Sequence, residues 1–273
     1  MEKKLDVNIP IGIGDLITYR GLLDNLLPFY EVINVNLCMT ILDIYKPDNK
    51  NENTIFLQNI ANLVFNNEKY KVGLVYNVEH TPPDIFAKHH NLQYKIPNLR
   101  NELCNDDKIF DGEYIVLATK ARFIDRELFL SRKETFCSVL NDLSKKYKVV
   151  LVGEKIVEMN KEYQHHGSHY IFSIYNDIID SLKNNIIDLT VPALGITIPN
   201  IENLKKDCSI MSHAKKVITF GVGGNFSIAQ TVSNAIAYKE GGALDFLFTN
   251  HVNTDSYFIT KEWYEFINAL LKL

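Results

Sequence analysis

Hydrophobic positions along the chain switch repeatedly between a two-residue and a three-to-four-residue repeat. Leu5-Asp6-Val7-Asn8-Ile9 alternates and predicts a strand. A helical pattern follows from Leu16 to Leu27, with Leu16, Leu22, Leu23, Leu26 and Leu27 facing a core, and it closes near Pro28. Val32, Ile33, Val35 and Leu37 mark a second strand over 31–38. Residues 45–54 read as a polar surface loop, 55–65 as a helix and 71–76 as a third strand. The signal weakens after His80-Thr81-Pro82-Pro83. Asp106-Asp107-Lys108 and Asp111-Gly112 then form a polar, turn-rich break that predicts a boundary near residue 110.

A second series begins there. Tyr114 to Ala118 predicts a buried strand, 132–146 a helix with Phe136, Val139, Leu140 and Leu143 on one face, and Val149 to Val152 a strand ending in Gly153-Glu154. Residues 176–182 and 201–213 read as helices, 186–190 and 216–220 as strands. After the glycines at 221–224, Ile228, Thr231, Val232, Ala235 and Ile236 fall on one helix face. A turn at 240–243, a strand at 244–248 and an amphipathic helix over 260–273 complete the pattern. Alternating strands and helices predict an α/β fold with parallel sheets. The expected organisation is two Rossmann-like domains facing a central cleft, 1–110 and 111–259. Trp263 and Tyr264 on the last helix, 260–273, read most simply as core; that helix is also expected to pack back across the first domain, where the two would pin the interface.

Composition narrows the function classes. The 273 residues are 46% hydrophobic and 23% charged, enough for one or two sizeable cores. A formal charge of -4 and a pI near 6.1 imply no basic face for nucleic acid. No apolar run approaches the ~20 residues of a membrane span. The start, Met-Glu-Lys-Lys and a polar strand-like segment, predicts no leader. Cys38, Cys104, Cys137 and Cys208 are far apart and read as reduced thiols, so the expected location is cytoplasmic.

Two glycine turns carry the candidate chemistry. Lys216-Val217-Ile218-Thr219-Phe220 runs into Gly221-Val222-Gly223-Gly224 and a helix, an arrangement that points backbone N–H groups at an anion. Gly12-Ile13-Gly14-Asp15 stands between the first strand and its helix. Asp15 reads either as a helix cap or as a general base at a cleft rim. His165-His166-Gly167-Ser168-His169 reads as a polar loop rather than a metal site, since Gly167 interrupts it and no carboxylate is adjacent.

The order of these features resembles the heptosyltransferase-like glycosyltransferases of GT-B fold. Gly12-Ile13-Gly14-Asp15-Leu16-Ile17 is similar to the turn that opens those chains. Tyr114 to Ala118, Val149 to Gly153, Ile187-Asp188-Leu189-Thr190, Ser212 to Ile218 and the glycine loop through Ala229 resemble their nucleotide-sugar domain. The resemblance implies an inverting, metal-independent transfer of a sugar from a nucleotide donor to a glycan or other hydroxyl acceptor, with Asp15 as catalytic base and no cofactor. Gly14, Gly223, Gly224, Asn225 and Ser227 would serve the donor phosphates, with charge from Lys120, Arg122, Arg126 and Arg132. Glu154 is a candidate acceptor for a ribose hydroxyl. The family's acidic residue and histidine around the donor glycine are replaced here by Val222 or Gly223 and by Ser227, and its lysine-tryptophan-proline signature is missing near Arg132 and Lys133. The expected partners are a nucleotide-sugar and an acceptor, without nucleic acid or a membrane span, and a homodimer is compatible with them. A sugar epimerase or pyruvyl transferase, or a nucleotide-sugar-binding protein that has lost turnover, are the competing readings.

Overall fold

Alternate residues of β4 (Tyr114–Arg122) serve two different cores. Tyr114, Val116 and Ala118 face one apolar cluster, and Ile115, Leu117 and Ala121 face another. Because side chains alternate across a strand and both faces are covered, its core stretch reads as a continuous apolar run instead of an alternating one. The same division holds in β5 (Lys148–Val152), where Val150 and Val152 oppose Val149 and Leu151. This computed structural model describes residues 3–10, 12–39, 50–76, 78–105, 108–122, 124–155, 171–183, 185–191, 200–221, 224–239 and 257–273.

Two sheets are built from these elements. The first joins β1 (Lys4–Pro10), β2 (Val32–Met39) and β3 (Tyr70–Tyr76) in parallel, in chain order. It is accompanied by α1 (Ile13–Leu23), α2 (Lys50–Val64), α3 (Pro83–His89) and the short α4 (Arg100–Leu103). The second sheet contains β4 and β5 with β6 (Ile171–Ser173), β7 (Ile186–Asp188), β8 (Lys216–Phe220), β9 (Ala235–Tyr238) and β10 (Tyr257–Thr260). Its order is β7-β5-β4-β8-β9-β10, all parallel, with β6 antiparallel to the end of β4. Its helices are α5 (Arg126–Leu143), α6 (Tyr175–Ile178), α7 (Ile201–Ser212), α8 (Gly224–Val232) and α9 (Trp263–Leu271). No described helix is long and apolar enough to cross a membrane.

One apolar cluster runs between the sheets. Leu16, Ile17 and Leu22 of α1 and Phe226, Ala229 and Val232 of α8 join Val7 and Val35 of the first sheet to Val116 and Val217 of the second. The outer face of the second sheet carries an aromatic cluster: Phe136 lies 5.1 Å from Phe220 and 6.2 Å from Phe266.

Four features differ from the sequence pattern. Helix α2 begins at Lys50, inside the expected loop. Helix α5 begins at Arg126, six residues early, because the Asp125 carboxylate caps it by accepting from the Leu128 N–H at 3.0 Å. The helical face ascribed to 228–236 ends at Val232. Ala235-Ile236-Ala237-Tyr238 is instead a fully buried strand between β8 and β10. Finally, the main contacts of α9 among the described residues are with α5, β9 and β10 of the second sheet rather than with the first domain. Trp263 joins that cluster 5.1 Å from Tyr238, while Tyr264 is exposed. The turn at 240–243, the strand at 244–248 and the histidines 165–169 lie outside the described residues.

Phe136→Ala removes the centre of the aromatic cluster, where Phe136 is fully buried. Chemical denaturation should show a loss of about 3–5 kcal/mol. A loss under about 1 kcal/mol would contradict this packing.

Candidate functional site

In the second sheet the strand order reverses between β4 and β8. Open α/β sheets bind ligands outside the carboxyl ends of their strands, at that reversal. Gly221 closes β8 there with φ +87 and donates its N–H to the Tyr238 carbonyl at 2.7 Å. Helix α8 starts at Gly224, so its first N–H groups open beside the switch point. Asn225 is half-buried. Ser227 is fully buried, and its Oγ meets no partner among the described residues. Gly223 lies outside the described residues.

Across the switch point, Lys120 Nζ stands 3.2 Å from Glu154 Oε1. Glu154 is 8% exposed, and its Oε2 is a second buried atom without a partner among the described residues. Burial raises the pKa of this carboxyl above the ordinary glutamate range, and the Lys120 ammonium partly offsets the rise. The Glu154 backbone carbonyl accepts from Thr119 Oγ1 at 3.0 Å and from Ser173 Oγ. Gly153 turns the chain into this position at φ +98, where a Cβ would stand 3.2 Å from Thr119 Oγ1. Side chains rarely adopt that backbone, which accounts for a glycine there.

In the first half, α1 starts at Ile13 after an extended Gly12 that makes no side-chain cap. Asp15, half-buried in the first turn, folds its carboxylate back over Gly12. A Cβ on Gly12 would lie 2.6 Å from Asp15 Oδ2. Gly14 accepts from the Thr18 hydroxyl at 2.8 Å. Burial, then the charges of Asp15 and Asp84, push the Tyr19 phenol upward, and that phenol donates to the Thr81 carbonyl.

Tyr94 ties the two turns together. Gln230 Nε2 of α8 donates to its phenolic oxygen at 3.0 Å. Its ring lies against Gly21 of α1, so closely that a Cβ there would be 2.5 Å from Cε2 and would meet the Lys95 carbonyl. Asp15 lies six residues before Gly21, and Gly224 six before Gln230. Each interval is about 9 Å of helix rise. Both helices pack in one apolar cluster, and late positions of both reach one tyrosine.

The remaining site candidates separate. Arg126 pairs with Asp177 at 3.1 Å, its guanidinium 6.0 Å from the Phe172 ring. Arg132 donates to the Tyr238 phenol at 2.7 Å and lies 5.6 Å from the Trp263 ring, on the aromatic face. These two arginines thus support the fold, and Lys120 is the expected cation that stands beside Glu154. Arg122 ends β4, and its side chain lies outside the described residues. Two groups were missed from sequence. Lys239, past the end of β9, is 3% exposed and brought down to about 8 by burial and by Lys261. Burial raises Asp207 on α7 to about 6. A charge placed directly after an apolar strand is the only signal that could have flagged Lys239. Among the described residues no group of three or more His, Cys, Asp or Glu side chains could hold a metal ion.

No protein-family model and no curated protein sequence matches the chain. Among solved structures it is similar to ADP-heptose LPS heptosyltransferase II of E. coli, at 15% identity and TM-score 0.44 over 98% of each chain. A glycosyl transferase family 9 protein from Veillonella parvula is similar at 14% identity and TM-score 0.48, over 99% of this chain and 90% of that one. The iron-containing dodecameric glycosyltransferase TibC from enterotoxigenic E. coli is similar at 10% identity and TM-score 0.44, over 87% of this chain. The chain spans 58% of the TibC length.

Gly21→Ala should destabilise by about 1–3 kcal/mol, because the added methyl enters the space of a backbone carbonyl and the Tyr94 ring. Thermal unfolding checks this, and an unchanged or raised Tm would refute the close approach of α1 to Tyr94.

Proposed function

We propose that the chain is a glycosyltransferase that moves a sugar from a nucleotide-sugar donor to a hydroxyl acceptor, inverting the anomeric centre without a metal. The observation that carries this reading is the glycine turn and the α8 N-terminus at the switch point of the second sheet, on a helix that shares an apolar cluster with the Asp15-bearing α1. In this reading the division near residue 110 separates an acceptor side from a donor side. The donor's diphosphate faces the N–H groups at Gly224 and Asn225, with Lys120 as the nearby charge. The unpartnered Glu154 Oε2 accepts from a ribose hydroxyl. Asp15 takes the acceptor's hydroxyl proton as the acceptor oxygen bonds to the anomeric carbon. The bond from that carbon to the diphosphate oxygen breaks, and the nucleotide diphosphate leaves with the electron pair. Ser227 takes the place of the resembled family's histidine.

One observation favours a second reading, a nucleotide-sugar-binding protein without turnover. Asp15 is folded over its own helix N-terminus, as a capping acid would be.

Asp15→Asn separates the two. As a base, Asp15 should cost about 10²–10⁴-fold in kcat when replaced, with nucleotide affinity unchanged. As a first-turn acid only, its replacement should lower stability by about 0.3–1 kcal/mol, the loss of a negative charge near the helix N-terminus, with no turnover in either form. Calorimetry with UDP, GDP, ADP, CMP and dTDP, with and without Mg²⁺, tests the donor side first. One of them should bind without metal, and Gly224→Val should abolish the binding. If none binds, the transferase reading fails.

An ionised Glu154 accepts a hydrogen bond from a ribose hydroxyl more strongly than its neutral form does. Its folded-state pKa is raised, so nucleotide affinity should fall as pH drops through a value above the ordinary glutamate range. Glu154→Gln should flatten that profile. A wild-type profile that is flat from pH 8 to pH 4 would contradict the role.

A further inference from the structure

The first sheet presents a polar face to water. Its strands lie in chain order, so the two crossovers through α1 and α2 run the same way and place both helices on one side. There Val7, Ile9, Val35 and Leu37 share an apolar cluster with residues of both helices. Parallel sheets are usually covered on both faces. The opposite face of this one carries Asp6, Asn8, Asn34, Asn36 and Lys71, all exposed or half-exposed.

Strand register arranges that face in rungs. Asp6, Asn34 and Lys71 form one, Asn8, Asn36 and Gly73 the next, and Pro10, Cys38 and Val75 a third. The central amides are fixed, Asn34 donating to Asp6 at 2.7 Å and Asn36 to Asn8 at 3.1 Å. The flanks are unlike each other. Asp6 pairs with no cation, and Lys71 with no acid, among the described residues. They stand two strand spacings apart, about 10 Å. Gly73 leaves a gap, since a Cβ there would meet nothing within 4 Å.

A second copy turned by 180° about an axis along β2 lays β1 of each chain over β3 of the other, rung on rung. Each flank then meets its complement twice, as a twofold interface requires. Asp6 falls over Lys71, Asn8 over the gap at Gly73, and Pro10 over the half-buried Val75. Asn34 and Asn36 meet their own copies, and an amide both donates and accepts. An axis across the strands would instead set β1 over β1 and β3 over β3, which pairs neither charge. Lys4 falls opposite Lys69 in the favoured arrangement. The Lys69 ammonium is already held by the Leu27 and Tyr30 carbonyls, at 2.9 and 3.3 Å, and so is drawn off the face.

We infer that two copies of this chain associate through the outer face of the first sheet, as a twofold dimer with two Asp6–Lys71 ion pairs. The face measures about 15 Å by 20 Å, which is short of an obligate interface, so the dimer is reversible and forms with rising concentration. It does not depend on the transferase reading.

Sedimentation velocity of the full chain tests the inference. A monomer–dimer equilibrium should appear with a Kd of about 10–500 μM. It should weaken several-fold between about 50 and 500 mM NaCl, which screens the ion pairs. Lys71→Asp and Asp6→Lys should each abolish the dimer, because each sets like charges face to face at both pairs. The double variant Asp6→Lys, Lys71→Asp should restore it. Gly73→Leu fits within one copy but fills the gap that Asn8 of the other needs, so it should abolish the dimer without lowering Tm. The inference is overturned if the wild type stays monomeric at about 500 μM, the weak end of that range. It is also overturned if either single charge variant or Gly73→Leu dimerises as the wild type does, or if the double variant stays monomeric at wild-type Tm.

Discussion

The contact on which the arrangement depends is the one Tyr94 makes with two helices at once. Its ring presses on the bare backbone of Gly21, and its hydroxyl accepts from Gln230. A side chain at position 21 would push α1 away, and an apolar residue at 230 would remove the amide that donates to the Tyr94 phenol. With both conditions met, α1 and α8 share one apolar layer and neither can slide along the other without losing the contact.

A consequence is that the two sheets are coupled through packing rather than through a linker alone. Cores that interdigitate at native density transmit displacement. The backbone bond from Leu99 N–H to the Thr231 carbonyl, 3.4 Å long, adds to the same seam. Motion between the halves therefore has to repack α1 against α8. The glycines at 12 and 224 open two helix ends, and the seam between those helices sets how those ends face each other.

Much of this was legible in the chain. The apolar cores of β4, β5 and β8 are buried on both faces and read as continuous runs, and the glycines after β5 and β8 announced the turns at the carboxyl edge. Strand β9 was not legible as a strand. Ala235 and Ile236 follow Val232 at helical spacing, and a four-residue strand buried on both faces offers no alternation to contradict a helix. The start of α5 was marked by Asp125, a cap whose apolar face begins only at Phe129. The roles of Arg126 and Arg132 depended on partners 51 and 106 residues away, Asp177 and Tyr238, and no local pattern encodes such pairings. The Tyr94–Gln230 bond spans 136 residues and was invisible for the same reason. The glycine turns were thus readable, whereas the side chains that decide which charges are available were not.

The proposed site needs the two turns to stand level at one end of the helical seam. Cysteine cross-linking measures this directly, in a background with the half-buried Cys104 replaced by serine. A bis-maleimide spanning about 10 Å, near the axis separation of packed helices, should join Gly12→Cys to Gly224→Cys rapidly and leave Gly12→Cys paired with Asn234→Cys unlinked. Rapid linkage of 12 to 234 with none to 224 would mean that the helices run in opposite directions, and the convergence of the two turns would be lost with it.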